Sequence, residues 1–378
     1  MNFLGVHLRI LMGDARTRPP RSINEALQSV EVTHSDEGRS GFQLTFQIGR
    51  GLTDLRDYAL VKNELLQPFK RVILAVIFNA KQYNLMDGII TNHQLSPSND
   101  PGASTLTLTG GDISLMMELE QVPEPNGSQV RQYPRMTDFQ ILEKILKDRY
   151  SRFNIKISGR DSQSRPGERT PTQPLGTTDL AYIEDLARNH GYVFYTEPGE
   201  SPGENIAYWG RPQYGGELQP PLSANMGPNT NIESISFQYN GMAARRIMAA
   251  GEIISRNEED NERPLVENVA EPRVLGFGRG CRSSSNVNEA RMLTRDENQG
   301  HVNRSFDNVV TATGELDALR YGRLLQPRRL VDIRGVGWSY DGTYYVKSVT
   351  HRIDVRKGEY KQNFTLARQG LGSTKWRV

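Results

Sequence analysis

Period-two alternation of apolar and polar residues, or a run of β-branched residues, marks six stretches at the start of the chain. These are "VHLRILMG", "SVEVTHSD", "GFQLTFQIGR", "KRVILAVIFNA", "MDGIITNHQLS" and "STLTLTG". They are rich in β-branched residues, and Gly, Pro, Asn or Asp bounds most of them, so the pattern predicts the strands of an antiparallel barrel or sandwich. The pattern changes at Asp112. There "DISLMMELEQ" reads as a short helix, followed by a linker carrying Pro123, Pro125 and Gly127.

The middle third has helical periodicity. Thr137 and Gln140 stand at capping-box spacing, and Phe139, Leu142, Ile145, Leu146 and Tyr150 give the helix that follows an apolar face. "RFNIKIS" reads as a strand and the polar run 159–176 as a loop. A second helix starts at Thr178, whose hydroxyl is a good N-cap, with Asp179 at the positive end of the helix dipole. Leu180, Ile183 and Ala187, with Leu186 beside them, form its apolar stripe. Gly191 is placed to close it with a positive φ, before the strand that starts at Tyr192. Both helices are expected to cover one face of a small sheet.

Strand patterns return at Ser234 with "SISFQYN" and "RRIMAAGEII", then "RRLVDIRGVGWSY", "TYYVKSVTHRIDV" and "YKQNFTLARQ". Between them lie the acidic run "RNEEDNE", the glycine-rich "GFGRG" and a predicted helix around 288–298. Asp341-Gly342 signals a tight turn between two aromatic strands. The expected fold class is mainly β with an α+β insertion: a first antiparallel β-barrel over 1–111, an α/β domain over 112–228, and a second barrel over 229–378 with an inserted segment at about 256–329.

Composition fits this picture. A chain of 378 residues exceeds one ordinary core, and 36% hydrophobic residues with 35 Gly and 20 Pro favour short strands and turns. A formal net charge of +2 gives no general case for nucleic-acid binding. From Glu315 onward, however, thirteen Lys or Arg face six acids, which suits either an acidic partner or a solvated surface. The single cysteine, Cys281, excludes an intramolecular disulfide and a cysteine-based zinc site. The N-terminus lacks a signal-peptide pattern and no run reaches the about 18 apolar residues of a membrane span, so synthesis in the cytoplasm without membrane anchoring is expected.

Candidate chemistry is sparse. His7, His34, His93, His190, His301 and His351 are scattered without a metal-ligand spacing. "GFGRG" lacks the strand before and helix after that a phosphate loop needs. Glu184 and Asp185 are adjacent on a helix and splay about 100° apart, and the acids at 258–262 form a charge run in a loop. No catalytic, cofactor or metal residue is assigned, and the chain is not expected to be an enzyme.

Three landmarks in order, "STLTLTGGDISLMMEL", "TTDLAYIEDLARNHGYVFY" and "GVGWSYDGTYYVKSVTHRI", resemble those of phage late-control gene D proteins. That family supplies contractile-tail baseplate hubs and is related to the hub half of type VI valine-glycine-repeat spike proteins. The resemblance implies two tail-tube-like barrels flanking the α/β unit. It also implies a homotrimeric adaptor between a sixfold tail tube and a threefold spike, in contact with tail tube proteins, other baseplate proteins and a tape-measure protein, and incorporated into a virion or injection particle. Since the chain stops soon after the last landmark, the spike is expected to be a separate protein, with Lys375, Trp376 and Arg377 as its contact. Thr137, Thr178 and Gly191 are the expected structural caps. Two other readings are a baseplate-associated cell-wall hydrolase and a glycan- or receptor-binding tail protein, the latter prompted by Tyr208, Trp209 and Tyr214.

Overall fold

The computed structural model describes residues 2–3, 5–13, 17–36, 38–49, 58–100, 102–119, 130–159, 171–174, 176–212, 218–241, 243, 245–247, 282–284 and 307–371. Strands dominate. The first part contains β1 (Asn2–Phe3), β2 (Val6–Met12), helix α1 (Arg21–Ala26), β3 (Leu27–Ser35), β4 (Gly41–Ile48), β5 (Arg71–Phe78), β6 (Lys81–Ser96), β7 (Ser104–Asp112) and helix α2 (Leu115–Leu119). Alternation decides which face each strand buries. Val30, Val32 and His34 of β3 point inward, as do Phe42, Leu44, Phe46 and Ile48 of β4.

The middle part contains β8 (Val130–Gln132), α3 (Asp138–Arg149), β9 (Ile155–Gly159), β10 (Thr172–Pro174), α4 (Asp179–Asn189), β11 (Val193–Pro198) and β12 (Asn205–Gly210). Here β12 lies between an antiparallel β11 and a parallel β9. Ile141, Leu142, Ile145 and Leu146 of α3 and Leu180 and Ile183 of α4 share one core with Trp209 of the sheet. Thr137 and Gln140 form a reciprocal capping box, and Thr178 Oγ1 accepts from the Ala181 N–H at 3.2 Å. Gly191 has φ 64°, and Tyr192 N–H donates back to Ala187 O while Gly191 N–H donates to Arg188 O, the two bonds that close a helix through a left-handed residue.

The last part contains β13 (Leu218–Ser223), β14 (Ser234–Tyr239), β15 (Arg245–Ile247), β16 (Arg282–Ser284), β17 (Val310–Asp317), α5 (Ala318–Tyr321), β18 (Leu330–Arg334), β19 (Gly342–Asp354) and β20 (Glu359–Arg368). Two boundaries differ from the sequence expectation. β17 lies within the interval assigned to an insertion, yet it is a central strand between β14 and β20. β13, placed by sequence in the middle unit, pairs parallel with β18. The Asp341-Gly342 turn also differs. Gly335 and Gly337 take φ of 85° and 97° and end β18 early, Gly342 opens β19, and Asp341 accepts from the Val336 N–H to brace the longer loop between them.

One sheet of thirteen strands runs through both outer parts, in the order β1-β2-β5-β6-β7-β4-β3-β19-β20-β17-β14, with β18 beside β19 and β13 beside β18. No pairing among the described strands closes either part into a barrel. They are joined instead by β3 and β19, because β19 is far longer than β18 and its far end has an edge to offer.

The two outer parts repeat one plan. The antiparallel order β5-β6-β7-β4-β3 in the first recurs as β18-β19-β20-β17-β14 in the second. β6 carries a bulge between Ile90 and Asn92, and β19 carries one between Val346 and Ser348. Ahead of β5 stands Leu65-Leu66-Gln67-Pro68, and ahead of β18 stands Leu324-Leu325-Gln326-Pro327. The residues that follow, Phe69 and Arg328, both adopt positive φ, 66° and 62°. Each donates its N–H to the residue before the bulge, Phe69 to Ile90 O and Arg328 to Val346 O, both at 2.7 Å. Sequence and geometry therefore agree on an internal duplication, with the α/β unit between the copies.

Candidate functional site at the junction of the three parts

The joint between the halves is built on β3 and β19. Thr33 faces Thr350 with their hydroxyls hydrogen-bonded at 3.0 Å. On the buried side, His34 and His351 meet edge to face with ring centres 5.7 Å apart, and His351 Nδ1 is hydrogen-bonded to the Tyr360 hydroxyl at 2.8 Å. Burial pushes the His351 imidazole down to about 3. His34 is also held well below the ordinary histidine value, first by burial, then by His351 and by the nearby Arg328. Both rings are thus neutral packing groups at neutral pH.

Arg328 draws all three parts together. Its guanidinium donates to Glu197 Oε2 of β11 at 3.0 Å, to Ser35 O at 2.8 Å and to Ser40 Oγ at 3.5 Å, and it stacks 3.6 Å above the Tyr195 ring. A planar cation with several donors is suited to such a meeting point, since one side chain satisfies partners from three directions. The left-handed backbone at Arg328, inherited from the duplicated loop, aims it there.

A second network fastens the α/β unit to the first half. Arg71 grips Asp87 with two bonds of 2.7 and 2.6 Å and donates to Gly203 O, and Asn205 Nδ2 donates to Asp87 Oδ2 at 3.1 Å. Asn84 donates to Gly199 O and Glu200 O. Asp112 accepts from Ser40 N–H and Ser114 N–H, and burial pushes its carboxyl up against the opposing pull of the Ser114 bonds. The space enclosed by His34, Asp112, Thr196 and Asn205 has no room even for a water-sized sphere. These polar groups are spent on holding the parts in one relation, and none forms a nucleophile–base pair beside an open pocket.

Inside the α/β unit, Asp179 does more than its place at a helix start suggested. It is buried and contacts Arg131, Arg149, the Tyr150 hydroxyl and Gln173. His190 Nε2 lies 2.7 Å from Asp138 Oδ2, tying the end of α4 to the start of α3. Trp209 is fully buried and Tyr208 stacks on Tyr195 with centres 4.9 Å apart, so neither is laid out as a sugar platform. Lys375, Trp376 and Arg377 lie outside the described residues, as do Tyr214, Cys281, the "GFGRG" segment, the acids at 258–262 and the predicted helix at 288–298. Among the described residues there is no cluster of three metal-ligating side chains, and no helix is long and apolar enough to cross a membrane.

No protein-family model and no curated protein matches the sequence. Solved structures do match. A tail protein from Neisseria meningitidis MC58 superposes with a TM-score of 0.63 over 97% of this chain and 98% of its own, at 13% identity. This chain has the fold of that tail protein. The 43 kDa tail protein of prophage MuSo2 from Shewanella oneidensis matches equally well, with TM-score 0.63, 13% identity and 96% and 99% of the two chains covered. A type VI secretion component of E. coli, which exhibits structural similarity to the T4 bacteriophage tail proteins gp27 and gp5, matches with TM-score 0.56 and 12% identity, over 96% of this chain and 76% of that one. At such identities the likeness is one of fold, with few shared residues.

The sequence reading missed Arg328 and the histidine pair. Arg328 had one detectable signal, the repeated Leu-Leu-Gln-Pro, which fell inside the interval assigned to an insertion.

Proposed function

We propose that this chain is a structural baseplate hub of a contractile tail or related injection particle, a trimer joining a sixfold tail tube to a threefold spike. The duplication carries the reading. Two equivalent sheet halves per chain give six in a trimer, so one ring can match sixfold symmetry on one side and threefold symmetry on the other. The full-length likeness to tail proteins supports the same role. The work is mechanical: the Arg328 and Asp87 networks keep the halves and the α/β unit in fixed relation while neighbours dock. Tail tube, spike, other baseplate proteins and a tape-measure protein are the partners on this reading, and the particle is the final location. Lys375 and Arg377, with Trp376 as an aromatic anchor, suit a spike contact. Particles produced without this chain should lack an assembled baseplate; complete contractile particles formed in its absence would refute the reading.

A further inference from the structure

The duplication defines a second joint whose two sides sit on one chain without meeting. In the joint that is formed, β3 lies along Ser348 to Asp354 of β19, beyond the point where β18 leaves that strand. β6 is the first-half equivalent of β19 and it too outruns its neighbour. β5 pairs with it only to Ile89, while β7 continues on the other side to Ser96. Among the described strands, none pairs with residues 91–96 on the side β5 has left. β14 is the equivalent of β3, and among the described strands the sheet order ends on it.

The bulges and strand registers put the two sides in correspondence. Counting from the shared bulge, Leu95 of β6 stands where His351 stands in β19. Carrying the register through β7 with β20, and β4 with β17, places Phe237 of β14 at Val32 of β3 and Tyr239 at His34. Burial then separates the two joints. Arg328, His351 and His34 are 3%, 3% and 6% exposed, whereas their equivalents Phe69, Leu95 and Tyr239 are 65%, 37% and 36% exposed. Large apolar groups face outward at the positions whose counterparts are covered.

We propose that β14 of one copy pairs antiparallel with the far end of β6 in the next copy, repeating between chains the joint that β3 and β19 make within one. The register sets Leu95 opposite Phe237, Gln94 opposite Gln238, Ser96 opposite Ser236 and His93 opposite Tyr239. Like faces like at each position, as favourable cross-strand pairs require, and Phe69 is covered as Arg328 is. The contact is head to tail, so it closes into a ring or continues as a filament; closure at three copies rests on the hub reading.

Cysteine cross-linking tests the register. In a Cys281→Ser background, Gln94→Cys combined with Gln238→Cys brings the two Cα atoms within the about 4.4–6.8 Å that a disulfide spans. Mild oxidation of the full chain, alone and in assembled particles, is expected to give covalent species of two and three copies. Neither single variant should do so, nor should Asn92→Cys with Ser236→Cys, whose sites would lie about 13 Å apart. Phe69→Glu should raise the concentration at half-association at least about tenfold with an unchanged melting temperature. A trimer in native mass spectrometry without covalent species overturns this pairing and leaves the hub reading standing. A chain that stays monomeric alone and is absent as a trimer from particles overturns both.

Discussion

Acid should loosen the joint between the halves through its two histidines. An unfolded histidine takes up a proton near pH 6.5, whereas His351 in the folded chain is pushed down to about 3 and His34 well below the ordinary value. The unfolded state therefore binds more protons below about 6.5. The stability that each neutral ring leaves intact is fully present above that pH, and is lost progressively as pH falls toward the folded value. Between about pH 6 and 4 the His351 ring alone costs about 1.4 kcal/mol per pH unit, which by pH 5 amounts to about 2 kcal/mol, and His34 adds to it in the same direction. Against a total of about 5–15 kcal/mol this is a large fraction. His351→Gln removes one of the two titrations while keeping a polar group near the Tyr360 hydroxyl. Urea unfolding at pH 7.5, 6 and 5 should show its pH slope below pH 6 shallower than that of the wild type by about 1.4 kcal/mol per pH unit, and His34→Gln with His351→Gln should flatten it further. Asp112 and Glu184, whose carboxyls burial pushes up, act with the opposite sign and are common to all these proteins. Equal slopes in wild type and His351→Gln would refute the reasoning.

Three further outcomes are expected. Arg328→Met should cost about 2–3 kcal/mol in chemical denaturation, somewhat below a fully buried pair because Glu197 is 38% exposed on its side chain; a loss under about 0.5 kcal/mol would show that Arg328 does not hold the parts together. Gly191→Ala should cost roughly 1 kcal/mol, read as a lower melting temperature, since its φ of 64° penalises a Cβ. Thr178→Ala should cost about 1 kcal/mol by orphaning the Ala181 N–H, and Thr178→Ser should recover most of it.

Local physics made much of the fold legible. Period-two alternation and, for β5, a continuous β-branched run located β2 to β7 and β20, and hydroxyl caps with a glycine stop after α4 located α3 and α4, because those signals depend on neighbours in sequence. The joint was not legible in that way. β3 meets β19 across most of the chain, and nothing in "VEVTHS" or "SVTHRID" alone says that each is the other's partner. Asp179 looked like a dipole charge because its arginine partners come from β8 and α3. β17 was hidden for a different reason: it follows a long polar interval, and its alternating apolar face is made of small groups, with Ala312 and Gly314 between Val310 and Leu316. Repeats were the missed opportunity. Leu-Leu-Gln-Pro occurs twice before a Val-containing strand, and that alone would have matched β18 to β5 as its equivalent in the other half.

The central claim is the matching of symmetries by a duplicated chain, and copy number in the assembled particle tests it most directly. Cryo-electron microscopy of intact baseplates should show three copies of this chain around the axis, with six sheet halves beneath the first ring of the tail tube. Six copies at that position would contradict the account.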